Sequence, residues 1–203
     1  MKAKGVGKRV MDLLFALGGL ILFSPLMLTI AVAIKLDSPG PVFFRQERVG
    51  RHGKPFRIHK FRTMVDCAEQ QGRQITVGQD ARITRVGRWI RDRRFDELPQ
   101  LIDVLKGDMS IVGPRPEVPR YVAMYSPEVR EKVLSVKPGI TDPASLAFRN
   151  EAELLARAED PEREYVEVIM PRKLQHAMAY AERASVWTDL MLIGRTLRVL
   201  ATG

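Results

Sequence analysis

The pattern of apolar and polar positions divides this chain unevenly. From Leu13 to Ile34 there are 22 consecutive residues without a charge. Lys8 and Arg9 precede that run and Lys35 follows it. At about 1.5 Å of rise per residue, a helix of this length could cross a bilayer core of about 30 Å. A signal peptide is disfavoured, because the run is too long and no small-residue cleavage site follows. A single spanning helix is the ordinary reading. Two features favour instead a re-entrant helix that enters and returns through one leaflet. Ser24-Pro25 sits inside the run, where proline removes a backbone donor and biases Ser24 away from helical angles. Basic residues also flank both ends: Lys2, Lys4, Lys8 and Arg9, then Lys35, Arg45 and Arg48. A spanning helix would set one flank against the positive-inside preference.

Beyond this segment the periodicity changes. Residues 41–46 and 55–61 partly alternate, with Gly50-Arg51-His52-Gly53 between them, which predicts a β-hairpin near the membrane. Helical spacing or composition follows near 64–71, 82–93, 97–106, 118–134, 151–158, 161–183 and 186–200. Pro138-Gly139 and Thr141-Asp142-Pro143 punctuate a loop. In the last helix Val186, Leu190, Ile193, Leu197 and Leu200 share one face. Such a helix suits either the core or a membrane interface with Arg195 and Arg198 snorkelling. The expected fold class is therefore α+β and mainly helical. It comprises a re-entrant membrane helix (1–36), a compact domain (37–185) and a C-terminal amphipathic helix (186–203).

Composition adds exclusions. A formal charge of +9 over 203 residues invites a nucleic-acid reading. Residues 1–62, however, hold 12 Lys+Arg against 3 Asp+Glu, whereas residues 63–203 hold 21 of each. The excess therefore reads as a basic collar facing anionic lipid headgroups. The remainder has no net field to steer a polyanion. The single cysteine, Cys67, excludes a disulfide scaffold and a cysteine-based zinc site. His52, His59 and His176 are too scattered for a metal site and read as structural or surface residues. No P-loop or dinucleotide glycine pattern is present.

Candidate chemistry concentrates in residues 82–116. Arg82, Arg85, Arg88 and Arg91 recur every three residues, followed by Arg93 and Arg94. Most of such a stripe is a solvated face, and one or two members suffice to hold a phosphate. Asp96 is placed to cap the next helix, with Glu97 following it. With Pro99 at the third position offering no N–H, one carboxylate oxygen of Asp96 would stay free. A carboxylate near a phosphate site backed by arginines suits covalent attack on phosphorus. In Gly113-Pro114-Arg115-Pro116, two prolines restrain the chain around Arg115, and Gly113 permits close backbone approach. A guanidinium held this way loses less freedom on gripping a phosphate.

Four ordered segments now carry a resemblance: Lys60-Phe61-Arg62-Thr63-Met64, Asp96-Glu97-Leu98-Pro99-Gln100, Gly107 to Pro116, and Lys137-Pro138-Gly139-Ile140-Thr141. Together with the apolar run and its Ser-Pro, they resemble the bacterial sugar transferases, the monotopic phosphoglycosyl transferases, in their minimal catalytic form. The resemblance covers nearly the whole chain. It implies a monotopic protein of the inner membrane with its catalytic domain on the cytoplasmic face. It also implies dependence on Mg²⁺, touched by Asp96, and transfer of a sugar-1-phosphate from a UDP-sugar to polyprenyl (undecaprenyl) phosphate. Carried over, Asp96 is the nucleophile and Glu97 its partner. Lys60, Arg91, Arg115 and Arg149 neutralise phosphate charge, Asp189 is a further acid, and Ser24 and Pro25 break the membrane helix. The expected partners are the UDP-sugar, the polyprenyl phosphate and membrane lipids, without nucleic acid. An oligomer is compatible.

One departure stands out. Relatives often continue Gly-Ile-Thr with Gly and an aromatic residue, whereas here Asp142-Pro143-Ala144-Ser145-Leu146 follows before Arg149-Asn150. The donor sugar is therefore not transferable by analogy, although a UDP-linked acetamido sugar fits the class. The competing class is a membrane-tethered, non-enzymatic protein binding nucleic acid or anionic lipid. A catalytically dead scaffold is opposed by the intact Asp96-Glu97 pair and Arg115.

Overall fold

The computed structural model describes residues 2–66, 68, 75–78, 80–148 and 150–202. It is mostly helical with a few short strands. Helix α1 runs Lys2–Asp37, and strands β1 (Phe43–Phe44), β2 (Glu47–Val49), β3 (Pro55–Arg57) and β4 (Lys60–Phe61) follow. Then come α2 (Arg85–Asp92), α3 (Gln100–Lys106), β5 (Ser110–Val112), α4 (Pro119–Val122), α5 (Pro127–Val133) and β6 (Gly139–Thr141). The last elements are α6 (Pro143–Ala147), α7 (Glu151–Ala156), α8 (Pro161–Glu164), α9 (Met170–Arg183) and α10 (Val186–Thr202).

Helix α1 stays helical through Ser24 and Pro25, so the chain is not interrupted there as the Ser-Pro step suggested. The reason is local. Pro25 has no N–H for the carbonyl of Ile21, and the Ser24 hydroxyl donates to that carbonyl instead, at 2.9 Å. By length and composition α1 could cross a membrane, with a mean hydropathy of 2.3 in its most apolar window. Yet its two ends are tied to the same body. Near the N-terminal end Arg9 donates to the carbonyls of Val104 and Leu105, at the end of α3. One turn later the buried Asp12 carboxylate accepts from the Ser110 hydroxyl and the Ile111 N–H. At the other end Asp37 accepts from the Val86 N–H of α2 at 3.0 Å. Arg62 donates to the carbonyls of Ser38 and Pro39. Between the ends, Ala16, Ile30 and Ile34 are buried against the body while Leu14, Ile21, Leu22 and Leu28 lie bare.

These ties revise the collar of positive charge. Lys8, Arg9, Lys35 and Arg48 bond to the protein's own carbonyls and carboxylates. A cation beside a helix C-terminus or a carboxylate gains more from that fixed partner than from a screened headgroup.

The hairpin forms as two nested antiparallel ladders. Phe43 faces Phe61, and Glu47 faces Arg57. The helix expected over 64–71 does not form in its described part. Met64 bridges Ile83, the Val65 N–H bonds the Arg82 carbonyl, and the Thr84 N–H bonds the Thr63 carbonyl. Backbone bonds to residues 82–84 hold residues 63–65 extended, and the Ala68 N–H then turns back to the Val65 carbonyl; residues 67 and 69–71 lie outside the described residues. The helix expected over 118–134 is two helices, because Ser126 precedes Pro127 and caps α5. Residues 161–183 do form one helical rod. Pro171 is absorbed by a π-helical stretch, Tyr165–Ile169, just before it.

One pairing escaped the sequence pattern. β5 and β6 form a short parallel ladder, Ser110 opposite Gly139 and Val112 opposite Thr141. The approach is so close that a Cβ on Gly113 would meet the Lys137 carbonyl, and one on Gly139 would meet the Gly113 nitrogen. Both positions require glycine.

Candidate active site

Four separate elements converge on one charge cluster. β4 carries Lys60, α2 carries Arg91, the turn Phe95–Glu97 carries Asp96 and Glu97, and the loop after β5 carries Arg115. Thr84 caps α2 by accepting from the Gly87 N–H. Arg94 then takes a left-handed conformation, φ 59°, and turns the chain into the Phe95–Glu97 turn. Helix α3 starts only at Gln100, so Asp96 is not its N-cap. Left-handed Arg94 and the proline at 99 shift the helix start beyond the acid pair. No backbone amide bond engages Asp96 among the described residues.

The two acids are placed differently. Glu97 Oε1 accepts from Lys60 Nζ at 2.8 Å and from Arg115 Nη2 at 2.7 Å. Asp96 Oδ2 stands 3.8 Å from Lys60 Nζ, a looser approach. Burial raises the Glu97 carboxyl, but Arg115 and Lys60 outweigh it and hold the group well below the ordinary carboxylate range. Burial also raises Asp96; Lys60 opposes that shift, Glu97 adds to it, and the net direction is up. The pair thus contains one carboxylate locked as an anion and one more basic carboxylate with a looser partner.

Their cationic neighbours follow the same logic. Burial lowers Lys60, with Glu97 opposing. Glu97 raises Arg115 more than burial lowers it. Burial lowers Arg91, with Asp96 the foremost opposing charge, and its Nη2 donates to Thr76 Oγ1 at 2.8 Å. In the rest of the arginine stripe Arg85, Arg88, Arg93 and Arg94 are exposed, as the spacing suggests, whereas Arg82 is half-buried, pairs with Asp80 and donates to the Ala68 carbonyl. Arg149 lies outside the described residues.

Asp189 lies in another polar cluster. It is fully buried, pairs with Lys8 Nζ at 2.5 Å and accepts from the Tyr180 hydroxyl at 2.7 Å. Lys8 also donates to the Val112 carbonyl, at the base of the Gly113–Pro116 loop, and the Tyr180 hydroxyl oxygen lies 3.0 Å from the same carbonyl. The cluster thus lies at the base of the loop that carries Arg115. Ser24 and Pro25 belong to α1 and not to the charge cluster.

Two site features went unread in the sequence. Arg48 looks like part of the basic flank in the sequence, but it is half-buried against the Arg115 loop. There it donates to the Pro116 carbonyl at 2.9 Å, and Glu117 lies at 3.9 Å. Tyr165 holds Glu117 in turn, its hydroxyl donating at 2.6 Å. The second feature is a clasp between β4 and α3. Asp103 accepts from the His59 N–H at 2.8 Å and pairs with His59 Nδ1 at 2.5 Å. It fixes the strand one residue before Lys60, so the structural reading of His59 holds. A His and an Asp 44 residues apart carry no spacing signal, and a half-buried arginine looks like a surface one in composition.

Such a site can grip a multiply charged phosphate with Lys60, Arg91 and Arg115 while offering the Asp96 carboxylate to phosphorus. The family model described as "Bacterial sugar transferase" matches residues 3–203. This chain belongs to the bacterial sugar transferase family. Within it, the chain is 43% identical over 198 residues to a UDP-N-acetylgalactosamine-undecaprenyl-phosphate N-acetylgalactosaminephosphotransferase of Aeromonas hydrophila. That match covers 97% of this chain and 44% of the Aeromonas protein. A UDP-glucose:undecaprenyl-phosphate glucose-1-phosphate transferase of Caulobacter vibrioides is 41% identical over 200 residues, 96% of this chain and 70% of that protein. The Escherichia coli protein of the same name is 37% identical over 193 residues, covering 94% of this chain and 39% of its own length. These bacterial sugar transferases are named for different sugars, so similarity of this degree does not assign the donor.

Proposed function

We propose that this member of the family transfers a sugar-1-phosphate from a UDP-sugar to polyprenyl phosphate at the membrane, through a covalent intermediate on Asp96. In the first half-reaction an Asp96 oxygen forms a bond to the sugar-linked phosphorus. The bond from that phosphorus to the bridging oxygen breaks, and UMP leaves with the electron pair. In the second, an oxygen of the polyprenyl phosphate forms a bond to the same phosphorus and the Asp96 carboxylate departs, giving polyprenyl-diphospho-sugar. The observation that carries this reading is the asymmetry of the two acids. Glu97 is neutralised by two cations and organises Lys60 and Arg115. Asp96 is the more basic carboxylate and, among the described residues, has no hydrogen-bonded cation at its oxygens.

Lys60, Arg91 and Arg115, joined by Arg149 on the strength of the family resemblance, neutralise the diphosphate as it approaches two carboxylates. A magnesium ion fits this donor set. Mg²⁺ commonly takes one or two carboxylates and completes its shell with phosphate oxygens and water, so a protein cage is not required. No group of three or more potential metal ligands occurs among the described residues, and Asp96, with Glu97 beside it, would hold the ion. When bound it supplies charge neutralisation at the phosphoryl oxygens. For topology we favour re-entry, with the catalytic body on the cytoplasmic face of the inner membrane. Arg9 and Asp12 near one end of α1, and Asp37 near the other, bond to the same body.

The test is direct. The purified protein is incubated with candidate UDP-sugars, Mg²⁺ and undecaprenyl phosphate, and released UMP is measured. UMP release with at least one donor, absent in Asp96→Asn, is the expected result. No UMP with any donor, or full activity in Asp96→Asn, would overturn the proposal.

A further inference from the structure

Beside the acid pair, on the side of α1, lies an aromatic patch that the first half-reaction leaves unused. Trp89, on α2, is 43% exposed although it lies next in the chain to the fully buried Ile90. Its ring packs edge-on to Phe95 at 5.7 Å, and Phe95 immediately precedes Asp96. The Arg93 guanidinium sits over the Trp89 ring, 4.8 Å from its centre. On its other side Phe95 packs against the cluster of Ile30, Ile34, Phe61 and Ile90, which also receives Leu26 and Met27, the first residues after Pro25. An apolar path thus runs from the middle of the apolar helix to the residue before the nucleophile, with a cation above its outer edge.

Resting on the function proposed above, we infer that Trp89, Phe95 and Arg93 form the docking surface for the isoprenoid end of the acceptor. The first isoprene units lie on Trp89 and Phe95, and Arg93 meets the acceptor phosphate. Two arguments select this occupant over a soluble one. The patch is continuous with an apolar helix whose outer face is bare, so a ligand arriving along it comes from lipid. The Arg93 guanidinium is poised over the ring face, which matches an amphiphile with an anionic head and an unsaturated apolar tail. Trp89 then aligns the acceptor phosphate with Asp96 once UMP has left. Residues 93 and 95 fulfil this role by being close in sequence to the nucleophile.

The chain has two tryptophans, so Trp187→Phe leaves Trp89 as the only strong emitter. That variant is placed in phosphatidylcholine nanodiscs and titrated with undecaprenyl phosphate, with undecaprenol, and with a saturated alkyl phosphate. The expected result is a saturable change in Trp89 emission that needs both the phosphate and the isoprenoid chain. In kinetics, Trp89→Ala should raise the KM for undecaprenyl phosphate about tenfold, the scale of one lost aromatic contact. The acceptor-free burst of UMP and the KM for the donor should stay near wild type, and Trp89→Phe should recover most of the loss. Emission that answers to nanodiscs alone and ignores added acceptor would make Trp89 an ordinary interfacial anchor and overturn the inference. An unchanged acceptor KM, or an equal loss of the burst, would overturn it too. Absence of any burst in the wild type would instead sink the underlying reaction, while the emission titration would still report on acceptor docking.

Discussion

At the scale of single residues, the proposed reaction depends on keeping two adjacent carboxylates in different states. Glu97 is clasped by Lys60 and Arg115, whereas Asp96 is half-buried with a looser partner. Asp96 must be ionised to attack phosphorus, and its environment raises its pKa. As pH falls, the attacking form is therefore lost earlier than for an ordinary aspartate near pH 4. The acid limb of kcat/KM for the UDP-sugar should lie distinctly above that value. A limb at or below it would show that Asp96 is not the titrating group. Glu97 titrates with the opposite sign: its depressed pKa gives stability that is present above about pH 4.3 and lost as pH falls through the lower folded value. Replacing it with Gln removes the anion that Lys60 and Arg115 share. Glu97→Gln should lower turnover by about 10²-fold or more and flatten the acid dependence of thermal stability, read from melting curves across pH. A Glu97→Gln melting profile parallel to wild type would contradict the clasp.

At the scale of elements, the chain's own pattern announced most of what positions the site, and the exceptions have physical causes. The apolar helix, the hairpin, the rod over 161–183 and the acid pair were readable from hydrophobic spacing and motif order. The β5–β6 ladder was not. Each strand has three residues, too few for periodicity to register, and parallel pairing leaves no turn signature between its partners. Composition reads Met64 and Val65 as helical because it is blind to the backbone bonds offered by residues 82–84. The ladder makes a sharp prediction. Gly139→Ala places a Cβ against the Gly113 backbone and should destabilise the fold by about 2 kcal/mol or more. Arg115 should move from Glu97 with it, so activity should drop further than the melting temperature alone implies. Wild-type melting and wild-type turnover in that variant would refute the close approach. Arg94 offers a contrasting case. Its left-handed backbone suits glycine, so Arg94→Gly should fold at least as stably as wild type, whereas Arg94→Val should lose about 1–3 kcal/mol.

At the scale of the whole molecule, the positive charge of the first 62 residues has a different meaning once its partners are known. Lys8 reaches Asp189 and the Val112 carbonyl, and Arg9 reaches the end of α3. The N-terminal helix is thereby fastened to the strand that precedes Arg115, so the apolar helix and the Arg115 loop share one framework. With both ends of α1 on the body, cysteines placed singly at Gly5 and Lys54, in a Cys67→Ser background, should be labelled from the same side of the membrane. Labelling from opposite sides would establish a spanning helix. The central claim is that one carboxylate passes the phosphosugar between a soluble donor and a lipid acceptor. It is tested most directly by mixing the protein with its UDP-sugar and Mg²⁺ in the absence of acceptor, then measuring intact mass and mapping the adduct. The account predicts UMP release of about one equivalent per active protein and a matching phosphosugar adduct on Asp96, discharged by polyprenyl phosphate. UMP released only when acceptor is present, with the protein mass unchanged throughout, would contradict it.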